Sequence, residues 1–237
     1  CMNRMALSTI DKTSEKQELI ESIRLLAKQK NAVILTHIYQ RLEVQRIADF
    51  CGDSLMLSKA AQETDAEMIV FCGVHFMAET AKLLNPNKTV LLPDIQSGCP
   101  MADMIDVEDL KAFKAEHPEA EVVCYINSSA AVKAESDICC TSTNAVDIVK
   151  SLDSKEIIFV PDKGLGQWVQ EQVPEKTIHV YDGFCPTHWQ ITPNEIEEEK
   201  KKNPNALIIA HPECSPEVWS EADFTGSTAQ IYKFVQD

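Results

Sequence analysis

Apolar and polar positions follow two different periods along this chain, and the switch between them sorts it into helices and short buried strands. From Ser14 to Lys30 the residues Leu19, Ile20, Ile23 and Leu26 recur at helical spacing, and Ala32 to Leu35 is an apolar run short enough to be a strand. A helix is predicted from about Glu43 to Phe50 and another after Asp53. Glu67 to Cys72 and Thr89 to Leu92 read as further buried strands, separated by a helical stretch from Met77 to Leu84 that Asn85-Pro86 terminates. The pattern returns through strands at Val122 to Ile126, Ile157 to Val160 and Ile178 to Tyr181. It begins again with a helix near Asn194 to Lys202 and a strand from Leu207 to Ala210. Each unit thus reads helix, strand, helix, strand, helix, strand. Continuous apolar strands alternating with helices predict an α/β fold of parallel sheets covered on both faces.

The units recur at a fixed step. Cys99-Pro100 and Cys185-Pro186 lie 185 minus 99, or 86, residues apart. The strings ADFCGDS from Ala48, SDICCTS from Ser136 and ADFTGST from Ala222 keep nearly the same interval. So do the runs VILTHIYQ from Val33, VVCYINSS from Val122 and LIIAHPEC from Leu207. A period of this kind marks recurring structural units. The predicted organisation is a first α/β/α repeat over 1–103, a second over 104–189 and the start of a third over 190–237. A third cysteine in the same slot would fall at about position 271. With the Cys1-Met2 start, the sequence reads as a fragment at both ends.

Composition narrows the ligand class. A formal charge of −15 and the lack of long basic runs argue against nucleic acid. An anionic ligand must therefore be held by local hydrogen-bond donors against an unfavourable field, which points to a small molecule. No apolar run is long enough to span a bilayer and no signal-peptide core is evident, so the expected location is the cytoplasm. Nine cysteines in such a setting read as metal ligands, reactive thiols or buried small hydrophobes.

In open α/β sheets the ligand lies beyond the carboxyl ends of the strands. The polar residues there are His37 and Tyr39, Tyr125 and Asn127, and His211 and Glu213, with Cys99 and Cys185 following later strands. Cysteines in equivalent loops, one from each of three units, would give a metal centre three thiolates. Thiolates suit an iron–sulfur cluster, and a cubane with three protein ligands leaves one iron open as a Lewis acid. Buried thiols at ordinary turns are the alternative. A second metal pattern pairs Cys185-x2-His188 with His211-x2-Cys214 as a zinc set, which would make the chain a zinc-stabilised binding protein without catalysis. Cys51, Cys72, Cys124, Cys139 and Cys140 are expected to be core thiols. Ser54, Ser142 and Ser227-Thr228 share one repeat slot, each ahead of a predicted helix, where they would bind anions or simply cap. His37, His188 and His211 could donate to carboxylates or move protons, whereas His117 and His179 read as structural. Glu213 is the best-placed carboxylate for acid–base work, and an exposed turn carboxylate is its alternative.

Taken in order, the strings THIYQ, GDSL, FMAE, LLPD, GCPMAD, YINSS, CTSTNAV, GFCPTH, HPEC and FTGST, between about Ala32 and Gln230, resemble the quinolinate synthase family. The resemblance implies a triplicated α/β/α fold around a pseudo-threefold axis and a [4Fe-4S] cluster held by three cysteines, of which Cys99 and Cys185 match two. It implies a transferase of de novo NAD biosynthesis that condenses iminoaspartate with dihydroxyacetone phosphate, with L-aspartate oxidase as supplier of iminoaspartate. It further implies substrate contacts from His37, Tyr39, Ser54, Tyr125, Asn127, Ser142, His211, Glu213, Ser227 and Thr228. Catalytic roles fall to Tyr39, His188 and Glu213. Two departures stand out: the third cluster cysteine belongs to a stretch beyond Asp237, and Ile38 stands where the family has Asn.

Overall fold

The computed structural model describes residues 2–236, with side chains from residue 15 onward except at 55; Cys1 and Asp237, the ends noted above, lie outside the described residues. The chain divides into two compact units, Cys1–Gln96 and Ser97–Asp237.

The first unit runs α1 (Met2–Gln29), β1 (Ala32–His37), α2 (Leu42–Gln45), β2 (Phe50–Gly52), α3 (Ser54–Glu63), β3 (Met68–Cys72), α4 (His75–Leu84) and β4 (Thr89–Leu91). Its strands form one parallel sheet in the order β2-β1-β3-β4. The second unit opens with a 3-10 turn at Ala102–Met104. It continues with α5 (Val107–Glu116), β5 (Glu121–Tyr125), α6 (Ala130–Ala134), β6 (Ile138–Cys140), α7 (Ala145–Ser151), β7 (Glu156–Val160), α8 (Lys163–Gln172) and β8 (Thr177–Val180). These strands repeat the same order, β6-β5-β7-β8, all parallel. The unit then adds α9 (Pro186–Trp189), α10 (Pro193–Lys202), β9 (Ile209–Ala210), α11 (Pro216–Trp219), β10 (Phe224–Thr225) and α12 (Thr228–Gln236). Strands β9 and β10 pair in parallel as a separate two-stranded sheet.

The α/β reading holds, with two corrections. Each of the three sheets contains an edge strand that the apolar pattern did not predict, and the helix expected over Glu43 to Phe50 contracts to the single turn of α2. Those extra strands begin at the last residue of ADF, SDI and ADF. Their shared aspartate explains why they recur. The carboxylates of Asp49, Asp137 and Asp223 accept the backbone N–H groups of Ile34, Val122 and Ile208 at 2.7–2.8 Å. Each aspartate N–H returns a bond to the carbonyl of that same residue. One side chain thus fixes the register of each edge strand against its neighbour.

Burial in the second sheet alternates by residue, as the pleat requires. Val123, Tyr125, Ile157, Phe159 and Ile178 face a core shared with Ala145 and Val149 of α7 and Leu165 and Val169 of α8. Val122, Cys124, Ile158 and Val160 face the opposite one, with Leu110 of α5 and Val132 of α6. Both faces are covered, so the strands read as unbroken apolar runs. Fully burying each Ile or Phe stabilises the sheet by roughly 1.5–3 kcal/mol.

The expectation that five cysteines are core thiols is only partly right. Cys124 and Cys140 are buried, Cys72 is half-buried, and Cys51 and Cys139 are exposed because they sit on the edge strands.

Candidate active site

Within the second unit, the carboxyl ends of β5 and β9 and the loops after β6, β7 and β8 bring together Tyr125, Ser142, Asp162, Cys185, His188, His211 and Glu213. Tyr125 ends β5, and its hydroxyl donates to Glu213 Oε1 at 2.6 Å. Ser142 also hydrogen-bonds that phenol. The other oxygen, Glu213 Oε2, lies 2.9 Å from His188 Nδ1, an ion-pair distance, although the N–H is not aligned on the oxygen. His188 in turn hydrogen-bonds Cys185. The result is a continuous polar chain from Ser142 to Cys185 inside the protein: Glu213 is 5% exposed and Tyr125 is 5% exposed. This environment decides between the two readings of Glu213, which is not an exposed turn carboxylate.

The electrostatics follow from that burial. Desolvation alone would raise Glu213, but the His188 imidazolium at ion-pair distance and the hydrogen bond from the Tyr125 hydroxyl hold it at about 2. Desolvation would likewise lower His188, yet its bonds to Cys185 and Glu213 raise it to about 10. Glu213 is therefore a carboxylate and His188 an imidazolium at neutral pH. Burial lowers His211, which stays neutral. Its Nδ1 accepts the Glu213 backbone N–H at 3.2 Å, so the ring proton resides on Nε2, leaving that atom as a donor. The rings of His188 and His211 stack with centroids 5.1 Å apart.

Two site residues escaped the sequence reading. Asp162 follows β7 and is fully buried. Its Oδ1 accepts the Leu165 N–H at 2.6 Å, capping α8, and its carboxyl also receives the backbone N–H of Cys185. Burial and the nearby charge of Glu213 push its pKa well above the ordinary carboxylate value, the direction opposite to that of Glu213. Gly164, in the first turn of α8, abuts the loop after β9. A Cβ there would come within 2.7 Å of the Glu213 carbonyl oxygen and 2.8 Å of that of Cys214. The rule that points to strand ends applies to β7 as well and could have found Asp162. Gly164 carries no such signal, because its role is the close approach of distant backbone.

Cys99 and Cys185 pack against the same core cluster. Burial raises the Cys99 thiol, while the N–H groups of Ala102 and Met101 hydrogen-bond its sulfur and act in the opposite direction. The charges of Glu213 and Cys185 also reach it. Cys185, His188 and Glu213 present ligand atoms within 4.8 Å of one another, a group that could hold a metal ion. The predicted zinc set of Cys185, His188, His211 and Cys214 does not assemble among the described residues. Glu213 replaces His211 and Cys214 in the group, His211 Nδ1 is engaged by backbone, and Cys214 is a buried thiol that desolvation pushes up to about 11.

The remaining predicted residues are placed as follows. Asn127 stands two residues beyond Tyr125 with a buried Oδ1 that has no protein partner. The Ser227 hydroxyl receives the Thr143 hydroxyl at 2.9 Å and caps α12 at the Gln230 N–H, with Thr228 as the first helical residue. Ser142 is not a cap, since α7 begins at Ala145 behind Asn144. In the first unit, His37 ends β1 and repeats the geometry of His211: its Nδ1 accepts the Tyr39 N–H at 3.2 Å, and burial lowers its pKa. The Tyr39 ring meets His37 edge-on at 4.7 Å and is exposed. Ser54 is the first residue of α3, and the capping is done by Asp53, which accepts the Met56 N–H.

Residues 21–237 match the family described as quinolinate synthetase A protein. The chain is 60% identical over 220 residues to the quinolinate synthase of Clostridium acetobutylicum, covering 93% of this chain and 73% of the relative. It is 56% identical to that of Alkaliphilus metalliredigens over 92% of this chain and 72% of the relative. For the protein of Aquifex aeolicus the identity is again 56%, over 93% and 68%. Identity at this level over nearly the whole chain, together with the repeated parallel sheets and the buried polar chain at their strand ends, means that the protein belongs to the quinolinate synthetase A family.

Proposed function

We propose that this protein is a quinolinate synthase, condensing iminoaspartate with dihydroxyacetone phosphate to give quinolinate, phosphate and two waters. The observation that carries the reading on the structural side is the buried chain Ser142–Tyr125–Glu213–His188–Cys185, with its ionised carboxylate between two proton donors. Condensation and dehydration need a base that takes a proton from carbon and an acid that gives one to a departing hydroxyl. Glu213 suits the first role. The His188 imidazolium suits the second; once it has given up its proton, the protonated Glu213 can pass its own across the 2.9 Å contact and restore both groups, while the Tyr125 hydroxyl holds the carboxylate in place. Asp162 holds the Cys185 backbone and the start of α8 in place for this work.

His211 and, in the first unit, His37 offer Nε2–H donors to substrate carboxylates, and Asn127 offers an amide without a protein partner at its oxygen. Tyr39, Ser54, Ser142, Ser227 and Thr228 complete the proposed substrate contacts, with Tyr39 also catalytic. We assign three repeats over 1–103, 104–189 and 190–237, an L-aspartate oxidase as supplier of iminoaspartate, and a cytoplasmic location suited to small charged substrates. Among the described residues no helix is long and apolar enough to cross a membrane.

The donor set fits the iron–sulfur cluster expected for this reaction. Glu213 and His188 neutralise each other, so the thiols are the ligands left over, and the N–H groups at Cys99 suit a thiolate. Cys99 and Cys185 would hold a [4Fe-4S] cluster, which when bound supplies Lewis acidity at an iron without a protein ligand. Protein expressed anaerobically from its full reading frame should show broad visible absorbance and form quinolinate. Cys99→Ser and Cys185→Ser should each abolish both, whereas Cys51→Ser should keep both; a colourless, zinc-loaded protein would overturn the cluster assignment.

A further inference from the structure

Outside the site just described, one cluster of nucleophilic groups stands apart from the reaction. Cys124 on β5 and Cys139 on β6 are direct register partners in neighbouring parallel strands. Partners of this kind project from the same face of the sheet, with backbones about 4.8 Å apart, inside the range of about 4.4–6.8 Å between Cα atoms that a disulfide spans. Cys124 is fully buried among Val122, Val132 and Ile158, and its sulfur lies 2.9 Å from Ser128 Oγ. Cys139 is exposed at the sheet edge. One thiol therefore meets solvent while its partner waits directly behind it.

The pairing belongs to the second repeat alone. At the same register the first sheet places Thr36 opposite Cys51, and the third places Ala210 opposite Thr225. Neither can form a disulfide. The adjacent Cys140 is no substitute, because the pleat turns it into the opposite core with Val123 and Phe159. The neighbouring Cys124 lowers the Cys139 thiol below its ordinary value against the opposing effect of burial, and the charge of Lys133 adds a lesser contribution in the same direction. A thiolate fraction at neutral pH makes it the attacking group.

We propose that Cys124 and Cys139 form a redox-reactive dithiol, a modification site for peroxide-class two-electron oxidants. The Cys139 thiolate attacks the peroxide O–O bond, giving a sulfenic acid and releasing hydroxide, which takes up a proton as water. The Cys124 sulfur then attacks the Cys139 sulfur, its thiol proton leaves with the sulfenic hydroxyl as a second water, and the S–S bond forms. Overall the two thiols lose two electrons and two protons, and one hydrogen peroxide becomes two waters. The bond would tie edge strand β6 to β5, whose ends carry Ser142 and Tyr125.

Trypsin cuts at Lys133, between the two cysteines, so peptide mapping reads the bond directly. Purified protein given stoichiometric hydrogen peroxide, blocked with an alkylating agent and digested should yield peptides 115–133 and 134–150 joined, lighter by two hydrogens, and separable by dithiothreitol. The joined species should be absent from Cys139→Ser, which alters an exposed position and leaves the core intact, and should persist in Cys140→Ser. Joined peptides that survive in Cys139→Ser, loss of the link in folded Cys140→Ser, Cys139 stopping at sulfinic acid with Cys124 still free, or no reaction at Cys139 would each overturn the proposal.

Discussion

At the scale of single residues, the site depends on two buried acids whose surroundings act in opposite directions. His188 and the Tyr125 hydroxyl keep Glu213 ionised, whereas burial and the charge of Glu213 raise Asp162. This makes a pH signature for metal-free protein. Glu213, lowered to about 2 from an ordinary 4.5, contributes stability that is complete above 4.5 and is lost as pH falls toward 2. His188, raised to about 10 from an ordinary 6.5, contributes stability that is complete below 6.5 and is lost as pH rises through 10. The pair should stabilise most between roughly 4.5 and 6.5. The difference in Tm between wild type and Glu213→Gln, measured across pH, should be largest in that window and shrink on both sides; a difference independent of pH would show that the pair is not charged. Gly164 makes a steric prediction. Gly164→Ala puts a methyl against two carbonyl oxygens and must displace the loop that carries Glu213. Quinolinate formation should fall at least about tenfold, with a loss of about 1–3 kcal/mol in stability. Unchanged activity would mean that the loop moves without consequence.

At the scale of elements, the helices and the long strands were legible because they hold enough residues for a period to show. The edge strands β2, β6 and β10 were not. With two or three residues each, they present no alternation, and only their recurrence marked them. Their cause is the aspartate clamp, a contact across 15 residues of sequence that no local pattern carries. Asp137→Ala leaves the buried N–H of Val122 without its charged acceptor and should cost about 1.5–3 kcal/mol, the scale of a hydrogen bond to a charged group. Denaturant unfolding measures this, and hydrogen exchange should show faster opening at β6 than elsewhere in its sheet. A cost near zero would assign the register to packing alone. The strand-end rule likewise found Tyr125, His211 and Glu213 but was not applied to β7, whose end carries Asp162.

At the scale of the whole chain, the repeat in sequence becomes a repeat of sheets: two with the same strand order and a separate two-stranded one. The formal charge of −15 works against anionic substrates, so binding must come from neutral or cationic donors buried at the strand ends. The second unit supplies them as His188, the Nε2–H of His211 and the Ser227 slot. That the reaction is driven from this buried chain is the central claim, and Glu213 is its pivot. The direct measurement is the rate of quinolinate formation by anaerobic, cluster-loaded Glu213→Gln protein given iminoaspartate and dihydroxyacetone phosphate, beside wild type with equal iron and visible absorbance. Glutamine keeps the size of the side chain and one acceptor oxygen for Tyr125, but its NH2 cannot accept and the amide cannot take a proton. A loss of at least about 100-fold is expected, the usual scale for removing a general base. A rate within a few-fold of wild type, at equal cluster content, would contradict it.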